Sequence, residues 1–136
     1  MHSTQDLNAI KPTTPLSKRL FGESQEKQAA NYLRKRGMKI VQRNYYCRLG
    51  EIDLIMLDST QQLVFVEVRF RRRDHFGSAI ESIGPSKQRK IRRTASHFLL
   101  THPQFGNLTC RFDVIGISPS MTSDAPRYDW IKSAFI

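Results

Sequence analysis

The sequence predicts an α/β domain built on a mixed sheet, and three observations carry that expectation. The segments follow in the order helix, three strands, helix, strand, then a C-terminal strand or tail. Two apolar, strand-like runs, GEIDLIML and LVFVEVRF, are separated by a turn around Asp58-Ser-Thr-Gln, short enough to require an antiparallel hairpin. The run KQRKIRRTASHFLL instead places Ile91, Ala95, Phe98 and Leu99 on one stripe at helical spacing. With 136 residues, the chain suffices for one domain with its own core and no disulfide staples.

Residues 1–16, MHSTQDLNAIKPTTPL, lack a sustained period and read as a flexible arm, leaving 17–136 as the single domain. SKRLFGESQEKQAANYLRKRG reads as a helix from about 22 to 36, with Ala29, Ala30 and Leu33 as apolar positions and Gly37 as its stop. MKIVQRNYYCR follows as a strand ending near Tyr46. In GEIDLIML, Glu51 and Asp53 share a face under period two. In LVFVEVRF, Leu63, Phe65, Glu67 and Arg69 share one face, and Val64, Val66, Val68 and Phe70 take the other. Both faces are largely apolar, so these are central strands covered on two sides. RRRDHFGSAIESIGPS connects to the second helix, where Pro85 suits the first turn or Ser86 the cap, and Pro103 closes it. CRFDVIGIS is a further strand, SPSMTSDAP a loop, and YDWIKSAFI the final strand or partly helical tail.

The charge is uneven. Lys+Arg number 22 against 12 Asp+Glu, a net +10, which calls for a polyanionic partner, most commonly nucleic acid. No apolar run approaches transmembrane length and no signal core opens the chain, so the cytoplasm is the expected location. Cys47 and Cys110 lack metal-type spacing and read as buried or half-buried thiols. His75 and His97 read as a loop and a helix-surface histidine.

Glu67 stands among apolar residues, where an ionised side chain needs a partner. Pairing the hairpin brings Asp53 near Glu67 at the end away from the turn. Two carboxylates so placed repel unless protonated or bridged, and a divalent cation such as Mg²⁺, which takes oxygen ligands, bridges them. An ion pair between Glu67 and an arginine is the competing reading, and residue spacing leaves both open. Residues 69–93 hold nine basic and two acidic residues. Arg71, Arg72 and Arg73 leave the acid-bearing strand, and Arg89, Lys90, Arg92 and Arg93 lie off the apolar stripe. Together they form a cradle for phosphates with no sign of base-edge readout.

GEIDLI, FVEVRFR, FGSAIESI, Lys87, RFDVI and WIKSAF together resemble the YraN-type family of small bacterial proteins, over about Gly22 to Phe135. That family is similar to the PD-(D/E)XK nucleases, near the Holliday-junction resolvases. The resemblance implies a restriction-endonuclease-like fold and Mg²⁺ or Mn²⁺ on Asp53 and Glu67, with the Val68 carbonyl as a further ligand. It implies that Glu26 on the first helix holds or orients a metal-bound water, and that the substrate is branched or structured DNA. Glu51 is either a supporting acid or a strand-end charge. By analogy with the resolvases, a homodimer is implied. The nuclease pattern ends in lysine, where this chain has Arg69. Arginine stays protonated and stabilises charge, but it cannot act as a base. Lys87 lies one turn before Ile91 and either points toward the acids or is solvated. A catalytically silent nucleic-acid binder and an RNA- or ribosome-associated factor remain alternatives.

Overall fold

The computed structural model describes residues 15–71, 79–120 and 122–136, with side chains from residue 24 onward. Residues 1–14 of the expected arm, Arg72, Arg73 and His75 lie outside the described residues. Helix α1 (Pro15–Arg34) precedes strands β1 (Lys39–Cys47), β2 (Gly50–Leu57) and β3 (Leu63–Phe70). Helix α2 (Pro85–Thr101), β4 (Cys110–Ser118) and β5 (Arg127–Phe135) complete the chain. The sheet has five strands in sequence order. Only β3 and β4 are parallel, and α2 is the crossover between them. The α/β class with a mixed sheet is therefore present, and the C-terminal segment is a strand.

The two faces of the sheet carry separate apolar layers. Ala29, Ala30 and Leu33 of α1 pack with Leu54, Met56, Val64, Val66, Ile115 and Ile117. Ile91, Ala95 and Phe98 of α2 pack on the other face with Ile52, Ile55, Leu63, Phe65 and Val114. The alternation expected in LVFVEVRF is thus realised, because β3 is central and covered twice.

Helix α1 begins at Pro15, not near residue 22. Gly22 lies inside the helix, where a glycine costs only about 1 kcal/mol relative to alanine. The flanking residues contain no β-branched side chain to add to that cost. The helix ends as expected at Gly37, φ +95°, which alanine would strain. Gly37 N–H donates to the Arg34 carbonyl (3.1 Å) and Met38 N–H to that of Leu33 (3.1 Å), while Leu33 and Met38 join one apolar layer. At α2, Gly84 is the N-cap and Pro85 the first helical residue, so Ser86 lies inside the helix and is not the cap. In the β2–β3 turn, Asp58 Oδ1 accepts from the N–H groups of Thr60 and Gln62, both at 2.9 Å.

Beside the core lies a buried aspartate that no charge pattern announces. Asp113 of β4 is fully buried. It accepts from Arg111 Nε (3.0 Å), Trp130 Nε1 (2.9 Å) and the Ser133 amide (2.9 Å), where β5 bulges and Ser133 takes φ +50°. Arg111 continues to Asp58 Oδ2 at 2.7 Å, tying β4 to the hairpin turn. Asp113→Ala would leave several donors without an acceptor in a dry site. It should cost about 3–5 kcal/mol of stability, read from urea unfolding. Asp113→Asn, which keeps one acceptor oxygen, should cost less.

Candidate metal centre

The site forms where β2 and β3 part. Their ladder runs from Leu57↔Leu63 to Leu54↔Val66 and stops there, one position short of Asp53 and Glu67. Ile52 and Ile55 lie in the same apolar layer although they are three positions apart, which regular alternation forbids. The strand therefore turns over at Asp53. Across on β1, Asn44 takes φ +52°, a conformation asparagine tolerates better than most residues. The freed Asp53 carboxylate accepts the Val68 N–H through Oδ2 at 2.8 Å, replacing a lost ladder bond.

Around Asp53 the acids of both layers converge. Glu26 reaches it from α1 and Glu67 from β3, close enough for the Asp53 charge to act on both. Carboxylates brought this close repel unless one is protonated or a cation bridges them. Glu26 is raised from 4.5 to about 8, first by burial, then by the Asp53 charge and hydrogen bond, with Glu51 adding to it and Asn44 opposing. Glu67 is also raised to about 8, first by burial and then by Asp53, against the pull of Lys87 and Arg69. Glu51 is pushed up by burial and by Asp53.

One carboxylate oxygen each from Glu26, Glu51 and Asp53 lie within 4.8 Å of one another. Glu26 Oε1 is buried without a hydrogen-bond partner among the described residues. An all-oxygen donor set with a buried orphan acceptor fits a hard divalent cation such as Mg²⁺ or Mn²⁺. Glu67, expected beside Asp53 as the second ligand, keeps its contact with Asp53. Its Oε2 also lies 3.6 Å from Arg69 Nη2 and 3.7 Å from Lys87 Nζ. Val68 meets the site through its amide. Arg69 leaves its buried Nε without an acceptor among the described residues.

Lys87 faces the acids because α2 is held close to β2. Gly50 opens β2 at φ +150°, and a Cβ there would come within 2.9 Å of Thr94 Oγ1 on α2. Only glycine permits both the turn and this approach.

Arg89, Lys90 and Arg93 are exposed along α2, and Arg71 is half-buried at the end of β3. Arg92 departs from the expected open surface, since its Nη1 donates to the Ile136 carbonyl at 3.0 Å. His97 is also not a plain surface residue: it is half-buried and bonded through Nδ1 to the Tyr45 hydroxyl. Cys47 and Cys110 are half-buried free thiols, as expected. No helix among the described residues is long and apolar enough to cross a membrane. Asn44 had no role in the sequence reading. Its one legible signal was a turn-tolerant residue in the middle of an otherwise strand-like run.

The chain matches the family described as "Uncharacterised protein family UPF0102", the YraN-type family, over residues 25–117, a span that holds Glu26, Glu51, Asp53, Glu67 and Lys87. A UPF0102 protein of Alcanivorax borkumensis is 46% identical over 119 residues, covering 88% of this chain and 94% of that protein. One from Nitrosococcus oceani is 47% identical over 126 residues, covering 93% and 97%. Among solved structures, that of Pyrococcus furiosus SfsA in complex with Ca²⁺ aligns with a TM-score of 0.30 and 14% identity, over 86% of this chain and 62% of that one. At that likeness nothing is transferred from it.

The raised acids set a pH dependence. Between 4.5 and about 8 the folded state holds protons on Glu26 and Glu67 that the unfolded chain has released. Stability from these groups is therefore lost as pH rises through that window. Thermal melts in EDTA should show the midpoint falling from about pH 5 to pH 8. Mn²⁺ should offset the fall, and Asp53→Asn, which retains an acceptor for Val68 N–H, should flatten it. A midpoint independent of pH and of metal would contradict the convergence of these acids.

Proposed function

This chain belongs to the UPF0102 family, and we propose that it is a DNA-binding, Mg²⁺- or Mn²⁺-dependent endonuclease acting on branched or structured DNA. The observation that supports this reading is the meeting of Glu26, Glu51 and Asp53 oxygens within 4.8 Å, beside two cationic side chains. Those three residues would hold the ion. The chemistry gained from it is a water acidified toward neutrality and a counter-charge for the phosphate.

The remaining groups divide by what each can do with a proton. Arg69 stays charged and can hold a phosphate oxygen, for which its Nε, unpartnered among the described residues, is a ready donor. Lys87 is the amine at the site and can both release and accept a proton, so it takes the part that the nuclease pattern gives to the lysine in the position of Arg69. Glu67 sits between the two cations and orients both. Arg89, Lys90 and Arg93 supply the exposed charge that receives the DNA backbone. A catalytically silent DNA binder is the second reading, and the engagement of Glu67 by both cations favours it.

Single-turnover assays with Mn²⁺ on nicked, branched and linear DNA separate these readings. Lys87→Met should lower cleavage about a hundredfold, the usual loss of a proton-transferring group. Arg69→Lys should raise it about tenfold, equivalent to about 1.4 kcal/mol of barrier. Glu51→Gln and Asp53→Asn should each weaken Mn²⁺ binding in calorimetry. DNA binding without any cleavage would establish the silent binder.

The basic face has its own test. Replacing Arg89, Lys90 and Arg93 with glutamine should weaken binding to all sequences alike. The log–log salt slope should flatten by about three units if each residue neutralises one phosphate. An unchanged slope would move the DNA surface elsewhere.

A further inference from the structure

The α1 face of the sheet carries an aromatic ladder that the metal centre does not use. Tyr32 of α1 and Tyr128 of β5 stack with ring centroids 4.2 Å apart and planes 23° from parallel. The Arg36 guanidinium lies over the Tyr32 ring, 3.6 Å from its centroid. Arg36 Nη1 also donates to the Tyr32 carbonyl at 3.2 Å, which holds the side chain in place. The result is a stack of planes, Tyr128, Tyr32 and Arg36, whose last member is exposed. Trp130 lies two residues from Tyr128 in the same apolar layer, and the exposed Lys132 sits 4.5 Å from its ring centroid.

The position of this ladder links it to the acids. Trp130 pairs with Ile115, and Ile115 with Val68, whose N–H is bound by Asp53. Trp130 therefore stands two strand spacings, roughly 10 Å, from Val68 along one row of the sheet. Tyr32 and Glu26 both belong to α1.

We infer that the Arg36–Tyr32–Tyr128 ladder is a stacking platform for an unpaired base, so that the chain binds single-stranded nucleic acid beside its metal centre. Guanidinium planes and aromatic rings are the surfaces on which splayed bases stack. A cation at the end of the stack also draws in the phosphate that accompanies the base. The surrounding α1 terminus, with Arg34, Lys35 and Lys39, matches that charge. The inference deepens the DNA-cleavage proposal by naming the substrate class: DNA with an unpaired segment next to the scissile bond.

The test separates base from backbone. Fluorescence anisotropy in EDTA would compare a short oligothymidylate with an abasic strand of equal length and charge, using the full chain. The parent should bind the oligothymidylate about tenfold more tightly. Arg36→Lys, an exposed substitution that keeps the charge and removes the plane, should abolish most of that preference by lowering oligothymidylate affinity far more than abasic affinity. Tyr32→Leu, with folding checked by circular dichroism, should act in the same direction. Equal affinity of the parent for both strands, or a preference that survives Arg36→Lys, would overturn the platform while leaving DNA cleavage untouched. Absence of binding to single strands and duplex alike would overturn the DNA reading itself.

Discussion

The hydrogen bond from Val68 N–H to Asp53 is the constraint on which the rest of the site depends. An ordinary antiparallel ladder would have used that amide for a backbone carbonyl and sent Asp53 to one face of the sheet. Because the strand turns over, the carboxylate lies between the two layers. It meets Glu26 from the α1 side and Glu67 from the α2 side. A buried amide without an acceptor costs about 1–3 kcal/mol, so the aspartate that opens the ladder also makes good the bond it displaced. Charge is brought into the interior without leaving a backbone group bare.

A second aspartate closes a second irregularity, and the contrast is instructive. Asp113 takes the Ser133 amide at the β5 bulge much as Asp53 takes that of Val68. Its neighbours are donors: Arg111 Nε and the Trp130 indole. Every demand of that carboxylate is met by protein, so it is structural. Asp53 has carboxylates for neighbours, and the nearby Lys87 and Arg69 offset their repulsion only in part, since Glu26 and Glu67 remain raised. The same local device yields an anchor in one place and a cluster of mutually repelling acids in the other, according to which side chains surround it.

Much of this was legible in the residues. Period two in LVFVEVRF and the short turn at Asp58 dictated the hairpin and placed Asp53 opposite Glu67, because register follows once the turn is set. The apolar stripe of α2 was equally plain, but the position of Lys87, one turn before Ile91, left open whether it faced the acids or solvent. Glu26 was found only through resemblance, since a helix carboxylate amid basic neighbours has no distinguishing pattern. The inversion at Asp53 and the φ of Asn44 were invisible, because a pattern of two assumes the regularity that the site breaks. Arg92 and His97 were misplaced for another reason. Their partners, Ile136 and Tyr45, are far away in sequence and reach them only through the fold.

The contact between Gly50 and Thr94 governs the site at a distance. Thr94 lies seven residues beyond Lys87 on one stiff helix, about 10 Å along its axis. A Cβ at position 50 would press on the Thr94 hydroxyl, which donates to the Lys90 carbonyl at 2.8 Å, so either that bond or the seat of the helix must give. A neutral methyl group, touching neither acid nor amine, would thus bear on the helix that carries Lys87.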